Sequence, residues 1–185
     1  MAQPTLTIHG DKIALGPLRR DLVSLYQGWL NDVEVATTYF NGSFVPETAE
    51  AAAGRYQSLT AAEDCRPFTI YERAAARPIG ITMLVRIDPV NRVAEYGILI
   101  GEKDSWGKGY GTETTRLMLE LAFTTLDLHN VVLRVFSMNQ RAIRAYTRAG
   151  FKLIGRQRQA KRVGDRVYDV VYLDCLATEF RLTSS

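Results

Sequence analysis

The segment Trp106-Gly107-Lys108-Gly109-Tyr110-Gly111-Thr112 sets three alternate glycines ahead of an amphipathic stretch, a combination suited to holding a phosphate. Glycine reaches backbone conformations closed to other residues and leaves neighbouring N–H groups unobstructed. A helix starting here would present unpaired amides and about half a positive charge, so a pyrophosphate could rest against them. Two familiar phosphate loops do not fit. A P-loop needs four residues between its first glycine and Gly-Lys, then Ser or Thr; here five residues separate Gly101 from Gly107, and Gly109 follows Lys108. The dinucleotide fingerprint needs its third glycine three places after its second; here Gly109 and Gly111 are two apart, and the loop follows several β-rich runs.

A second concentration of chemistry is cationic. Arg141, Arg144, Arg148, Lys152, Arg156, Arg158, Lys161, Arg162 and Arg166 face a single acid, Asp165, in the same stretch. Most of these side chains read as a solvated face and an exposed hairpin; one or two are candidates to meet an anionic ligand such as a nucleotide phosphate. RNA binding has little support, because no row of aromatic side chains accompanies the charges for base stacking. The net charge of +3 is also too small to imply a nucleic-acid partner. His9 and His129 lie far apart with no cysteine beside either, which gives a metal site or a Ser-His-Asp arrangement little basis. Cys65 and Cys175 match no ligand spacing and read as two buried thiols in a reducing cytoplasm. Ser137 is explained equally by a turn and by a cleft-facing role.

The elements that must position these residues follow from periodicity. With 185 residues, 46% apolar and 23% charged, the chain reads as one α/β domain over 1–185. No apolar run approaches the roughly 20 residues needed to span a bilayer. Residues 1–10 lack the basic flank and apolar segment of a signal peptide, so neither membrane nor export is expected. Residues 5–8 and 12–17 flank a Gly10-Asp11 turn as a hairpin or bent strand. A helix over 20–33 places Leu22, Leu25, Tyr26, Trp29 and Val33 on one face. A second helix begins near Pro46 and runs through 47–59, and the intervening 36–45 reads as an aromatic loop. Strands follow at 67–71, 79–87 and 93–100, then a helix over 112–123, a buried strand at 131–136 and a helix over 142–149 ended by Gly150. Two strands, 151–160 and 166–174, close the chain. Gly97, inside a strand, marks either a bulge or packing beneath a large neighbour.

At this point the residues resemble the GNAT superfamily of N-acetyltransferases. Its acetyl-CoA loop reads Gln/Arg-x-x-Gly-x-Gly/Ala; Gly109 and Gly111 match the glycines, while Trp106 stands at the Gln/Arg position. The text Trp-Gly-Lys-Gly-Tyr-Gly-Thr-Glu is similar to the branch holding ribosomal-protein N-terminal and spermidine acetyltransferases. So is Trp29-Leu30-Asn31-Asp32-Val33-Glu34-Val35 in the first helix. The run from Asn139 to Phe151 resembles the distal CoA motif Asn-x-x-(Ala/Ser)-x-x-x-(Tyr/Glu)-x-x-x-Gly-Phe. The resemblance implies a mixed, mostly antiparallel twisted sheet with a V-shaped split between strands 4 and 5, flanked by about four helices. It also implies that acetyl-CoA lies in the split against strand 94–100, and it favours a bulge at Gly97.

Acyl transfer to an amine requires removal of a proton from the ammonium, stabilisation of the thioester oxygen and a proton for the departing thiolate. Glu95 is the candidate for the first, directly or through water, because a carboxylate on a largely buried strand can have a raised pKa; an outward-facing strand residue is the alternative. Backbone N–H groups near Ile98 are candidates for the second. Tyr146 is the candidate for the third, seven residues and about two turns after Asn139; a core tyrosine beside Ile143 is the alternative. Cofactor contacts are expected from Ile98, Leu99, Ile100, Trp106, Gly107, Lys108, Gly109, Tyr110, Gly111, Thr112, Asn139, Ala142 and Tyr146. Asn139 could also cap its helix. Trp29, Tyr39 and Phe40 are candidates for the acceptor pocket, helix core being the favoured alternative for Trp29. No metal is expected. The leading expectation is acetyl transfer to a small amine such as a polyamine, amino sugar or antibiotic. A ribosomal-type N-terminal acetyltransferase and a non-catalytic CoA-binding module are the alternatives, and the resemblance also allows a homodimer.

Overall fold

A computed structural model describes residues 4–39 and 45–181. The chain opens with β1 (Ile8–His9) and β2 (Ile13–Pro17), which turn at Gly10, where a side chain would run into the Glu113 carboxylate. Three helices follow: α1 (Val23–Asn31), α2 (Val33–Tyr39) and α3 (Ala49–Ala61). Then come β3 (Arg66–Glu72), β4 (Arg77–Asp88) and β5 (Val93–Ile100). Helix α4 (Tyr110–Glu120) runs into a π turn at Leu121–Thr125. The remaining elements are β6 (Asn130–Phe136), α5 (Gln140–Ala149), β7 (Lys152–Val163) and β8 (Arg166–Leu176).

The eight strands form one sheet in the order β1-β2-β3-β4-β5-β6-β8-β7. Every pairing is antiparallel except β5 with β6, which run parallel. That parallel pairing covers only Val93–Glu95 against Asn130–Val132, after which the strands part. The expected V-shaped split is this parting. It falls between the fifth and sixth strands because the opening hairpin contributes two strands rather than one bent strand.

Alternation along the strands feeds two cores, one on each face of the sheet. Ala94, Tyr96, Leu133 and Val135 pack with Met118 and Leu119 of α4, Ala122 of the π turn and Tyr146 of α5. Met83 and Leu99 pack with Tyr26, Trp29 and Leu30 of α1 and Val35 of α2. Cys65 and Cys175 are buried free thiols, and burial pushes Cys175 up to about 11. No helix of the described residues is long and apolar enough to cross a membrane.

Several local expectations need correction. The helix expected over 20–33 is interrupted: Asp32 takes an extended ψ of 116°, which ends α1. Its carboxylate oxygen then accepts from the N–H groups of Glu34 and Val35, at 3.0 and 3.3 Å, and starts α2. Val33 is therefore 59% exposed instead of core. Residues 33–39 are helical rather than the start of a loop, so the helices number five among the described residues. Helix α3 starts at Thr48, whose hydroxyl accepts from Ala51 N–H at 3.2 Å, and not at Pro46. Gly97 is not a bulge: it sits in register opposite Met83, and the irregularity lies on β4 between Val85 and Asp88, where Arg86 adopts φ 53°.

Candidate active site

The glycine segment forms the turn into α4. Gly107 and Gly109 hold φ of 79° and 89°, a region that favours glycine, and Gly109 is the N-cap with no side chain capping the helix. The first internal helix bond is Glu113 N–H to Gly109 O at 3.1 Å. The amides of Tyr110, Gly111 and Thr112 therefore have no helical acceptor. A Cβ placed on Gly107 or Gly111 would meet nothing within 4 Å, and on Gly109 only the Lys12 Nζ at 4.0 Å. Open space stands over these amides.

The turn is braced from below. The Trp106 indole donates to Ile100 O at 2.8 Å, and Tyr110 Oη donates to Glu72 Oε1 at 2.6 Å. Arg77 reaches Glu72, Glu102 and Asp104 at 3.4, 3.5 and 3.2 Å. The Tyr110 hydroxyl, and then the Arg77 guanidinium, hold the Glu72 carboxyl below the usual carboxylate range. On the other side, Glu113 Oε1 accepts from Lys12 N–H at 2.8 Å, which ties α4 to β2.

The turn, the split and α5 enclose a cavity of about 520 Å³. Strand geometry decides which β5 amides open onto it. Gly101 N–H donates to Ile79 O, on the β4 side, whereas Arg92 O accepts from Asn130 N–H, on the β6 side. Backbone groups alternate in direction along a strand, so odd-numbered β5 residues address β4 and even-numbered ones address β6. Past Glu95 the β6 partner is gone. The Ile98 N–H is thus directed into the split, consistent with the donor expected there, while Trp106 already occupies the Ile100 carbonyl.

The cavity is lined by Glu95, Ile98, Leu99, Ile100, Trp106, Gly107, Gly109, Tyr110, Gly111, Thr112, Asn139, Ala142 and Tyr146, and by Tyr39 at the end of α2. Lys108 is exposed and is not part of its wall. Trp29 is corrected from pocket to core. It is 5% exposed, its ring fills the space beside Gly101, and its indole donates to Glu102 Oε1 at 2.8 Å. Phe40 lies outside the described residues.

Tyr146 projects from α5 against Tyr96 and Phe151, with ring centroids 6.2 and 6.0 Å away. Burial pushes its phenol well up, so it keeps its proton at neutral pH. Its hydroxyl has no hydrogen-bond partner among the described residues, so its donor remains for a ligand. Asn139 caps α5, its Oδ1 accepting from Ala142 N–H at 3.1 Å. Glu95 lies on the opposite face of the sheet from Tyr146. Arg134 Nε donates to its Oε1 at 3.0 Å, and Arg86 Nη1 donates to its Oε2.

Four arginines line the cavity: Arg134 from β6, and Arg141, Arg144 and Arg148 from α5. The guanidinium of Arg141 lies 3.7 Å from the Trp106 ring centroid and so spans the mouth between the turn and α5. The α5 row carries a readable signal, its spacing of three and four residues, which puts all three on one face. Arg134 carries none, because strand alternation alone does not say which face turns towards a cleft.

A family model described as an acetyltransferase (GNAT) domain matches residues 12–152. An uncharacterised N-acetyltransferase of Bacillus licheniformis, p20, is 25% identical over 94% of this chain and 98% of its own. A spermidine N(1)-acetyltransferase of Vibrio cholerae is 29% identical over 60% of this chain; the match spans 64% of that relative, less than two thirds of its length. A crystal structure of spermidine N-acetyltransferase from Vibrio cholerae, in complex with CoA and spermine, superposes with a TM-score of 0.83 at 24% identity. The superposition covers 92% of this chain and 98% of that one, and it shows a shared fold.

Proposed function

This chain belongs to the GNAT family of acetyltransferases and transfers acetyl groups to amines, and we propose that its acceptor is the primary amine of a small molecule. The observation that carries this reading is the joining of three features on one cavity: unpaired amides at the start of α4, the hydroxyl-bearing Tyr146 and the carboxylate of Glu95. The residues present fit acetyl-CoA. Space stands open over the Gly107–Gly111 backbone, and the α5 arginines supply charge for phosphates. When bound, acetyl-CoA would supply an activated acetyl group. A spermidine acetyltransferase among the relatives favours a small amine; polyamines, amino sugars and amine antibiotics are the classes to test.

In this reading the first-turn amides of α4 hold the diphosphate, with the exposed Lys108 available from the rim. Ile98 N–H donates to the thioester oxygen as it gains charge. Glu95 draws the acceptor ammonium into place and takes its proton, directly or through water; each of its oxygens keeps a lone pair beyond the one that an arginine uses. Tyr146 Oη donates its proton to the departing thiolate. Tyr39 and the α2 face flank the acceptor. The test is CoA release from acetyl-CoA with a panel of amines. Acetylation of at least one small amine, with the product identified by mass spectrometry, is expected. An altered set of cellular protein N-termini on loss of the gene, with no small amine used, would move the acceptor to proteins.

A further inference from the structure

The two faces of the sheet meet at the split, and neither is acidic overall. On the α4/α5 face stand the cradle and the three α5 arginines. On the other face, which the acceptor must approach, the cavity wall has a single carboxylate, Glu95, and Arg134 beside it. Arg86 holds the far oxygen of Glu95. Lys161, only 4% exposed, rests its ammonium 4.7 Å from the ring centroid of Phe136, another residue of the cavity wall. Asp169 offers no counterweight: its Oδ1 accepts from Gln159 N–H at 2.9 Å, its Oδ2 is 4.0 Å from Arg156, and it does not line the cavity. Among the described residues the acceptor side of the cavity wall therefore carries one acid, Glu95, and one cation, Arg134, with Arg86 and Lys161 outside the wall.

A polycation needs several carboxylates to replace its lost hydration, and this wall supplies one that two guanidiniums already share. Arg134 has donors to spare. Only its Nε is engaged, at 3.0 Å from Glu95, and its two terminal nitrogens have no partner among the described residues. A guanidinium fork of this kind matches a carboxylate. We infer that the acceptor of this enzyme is an amine that also carries a carboxylate, such as an amino acid, with its ammonium on Glu95 and its carboxylate on the Arg134 fork. The adjacent pair Glu95–Arg134 is the complement of such a zwitterion. The inference rests on the acetyl-transfer reading above and narrows its acceptor.

The experiment compares kcat/KM for amino acids, for the corresponding amino-acid amides and for spermidine, using wild type, Arg134→Gln and Arg134→Lys. In wild type the free acid is expected to exceed its amide by about tenfold or more, the scale of one charge-assisted pair, with spermidine below both. In Arg134→Gln the acid is expected to fall to the level of its amide, and Arg134→Lys to recover part of the preference. The KM for acetyl-CoA and the thermal melt report that both variants remain folded. Efficient use of spermidine without use of the acids overturns the carboxylate inference and leaves acetyl transfer standing. An acid preference that survives Arg134→Gln overturns it too. No CoA release with any amine, although acetyl-CoA binds, removes the transfer reading and this inference with it.

Discussion

A phenol that is nine-tenths buried and has no hydrogen-bond partner among the described residues is poised for something that arrives from outside, and in Tyr146 that is the proposed role. Aromatic neighbours on two sides fix its ring, so removing the hydroxyl leaves the packing intact. Tyr146→Phe is expected to lower kcat by about a hundredfold, the usual scale for one positioned proton donor. The KM for acetyl-CoA should stay near wild type. Steady-state kinetics with both substrates varied checks this, and an unchanged kcat would remove the acid role. Sequence spacing identified this residue through its match to the distal motif. Its rigid aromatic setting became visible only once β5 and α5 were seen to face each other.

Cradle and brace act at the level of the element. Helix α4 begins at Gly109 without a side-chain cap, and that leaves its amides for a ligand. Gly109→Glu places bulk and negative charge there, at a φ of 89° that also strains any side chain. Isothermal titration is expected to show loss of acetyl-CoA binding. Tyr110 in the first turn of the same helix is part of its footing, since its hydroxyl is the largest cause holding the Glu72 carboxyl down. A carboxyl lowered on folding contributes stability that is fully present above its unfolded value and is lost as pH falls through its folded one. Tyr110→Phe is therefore expected to melt below wild type at neutral pH. The gap should close only as pH falls past the lowered folded-state value, where Glu72 is protonated in folded and unfolded states alike. A gap that is constant with pH in thermal melts would show that the bond plays no such part.

Across the whole molecule, the parting of β5 and β6 turns one sheet into two lips around a cavity. The stack of Arg141 on Trp106 joins those lips at the mouth. Trp106 stands at the Gln/Arg position of the acetyl-CoA loop motif that this segment resembles, and Arg141 of α5 lays a guanidinium over its ring. Trp106→Ala and Arg141→Ala are each expected to raise the KM for acetyl-CoA. Their effects should be non-additive by about 0.5–2 kcal/mol, the range of a cation–π contact. A double-mutant cycle on that KM measures the coupling, and strict additivity would mean that the two side chains act apart.

Local chemistry was legible in the sequence wherever it depends on neighbours along the chain. The glycines of the α4 turn, the Asn139 cap, the Gly150 stop and most strands follow from backbone freedom, capping and alternation, which act over a few residues. Asp32 escaped that reading because its break depends on a side chain turning to cap the next helix. Trp29 belongs to the core reading rather than the pocket one, a choice that a helical stripe leaves open because it does not reveal whether it faces core or cleft. Only the tertiary structure decided the divergence of β5 from β6, the direction of the Ile98 amide and the placing of Arg134 beside Glu95. Those follow from the register between strands far apart in sequence, and register is set by the burial of both faces of the sheet together.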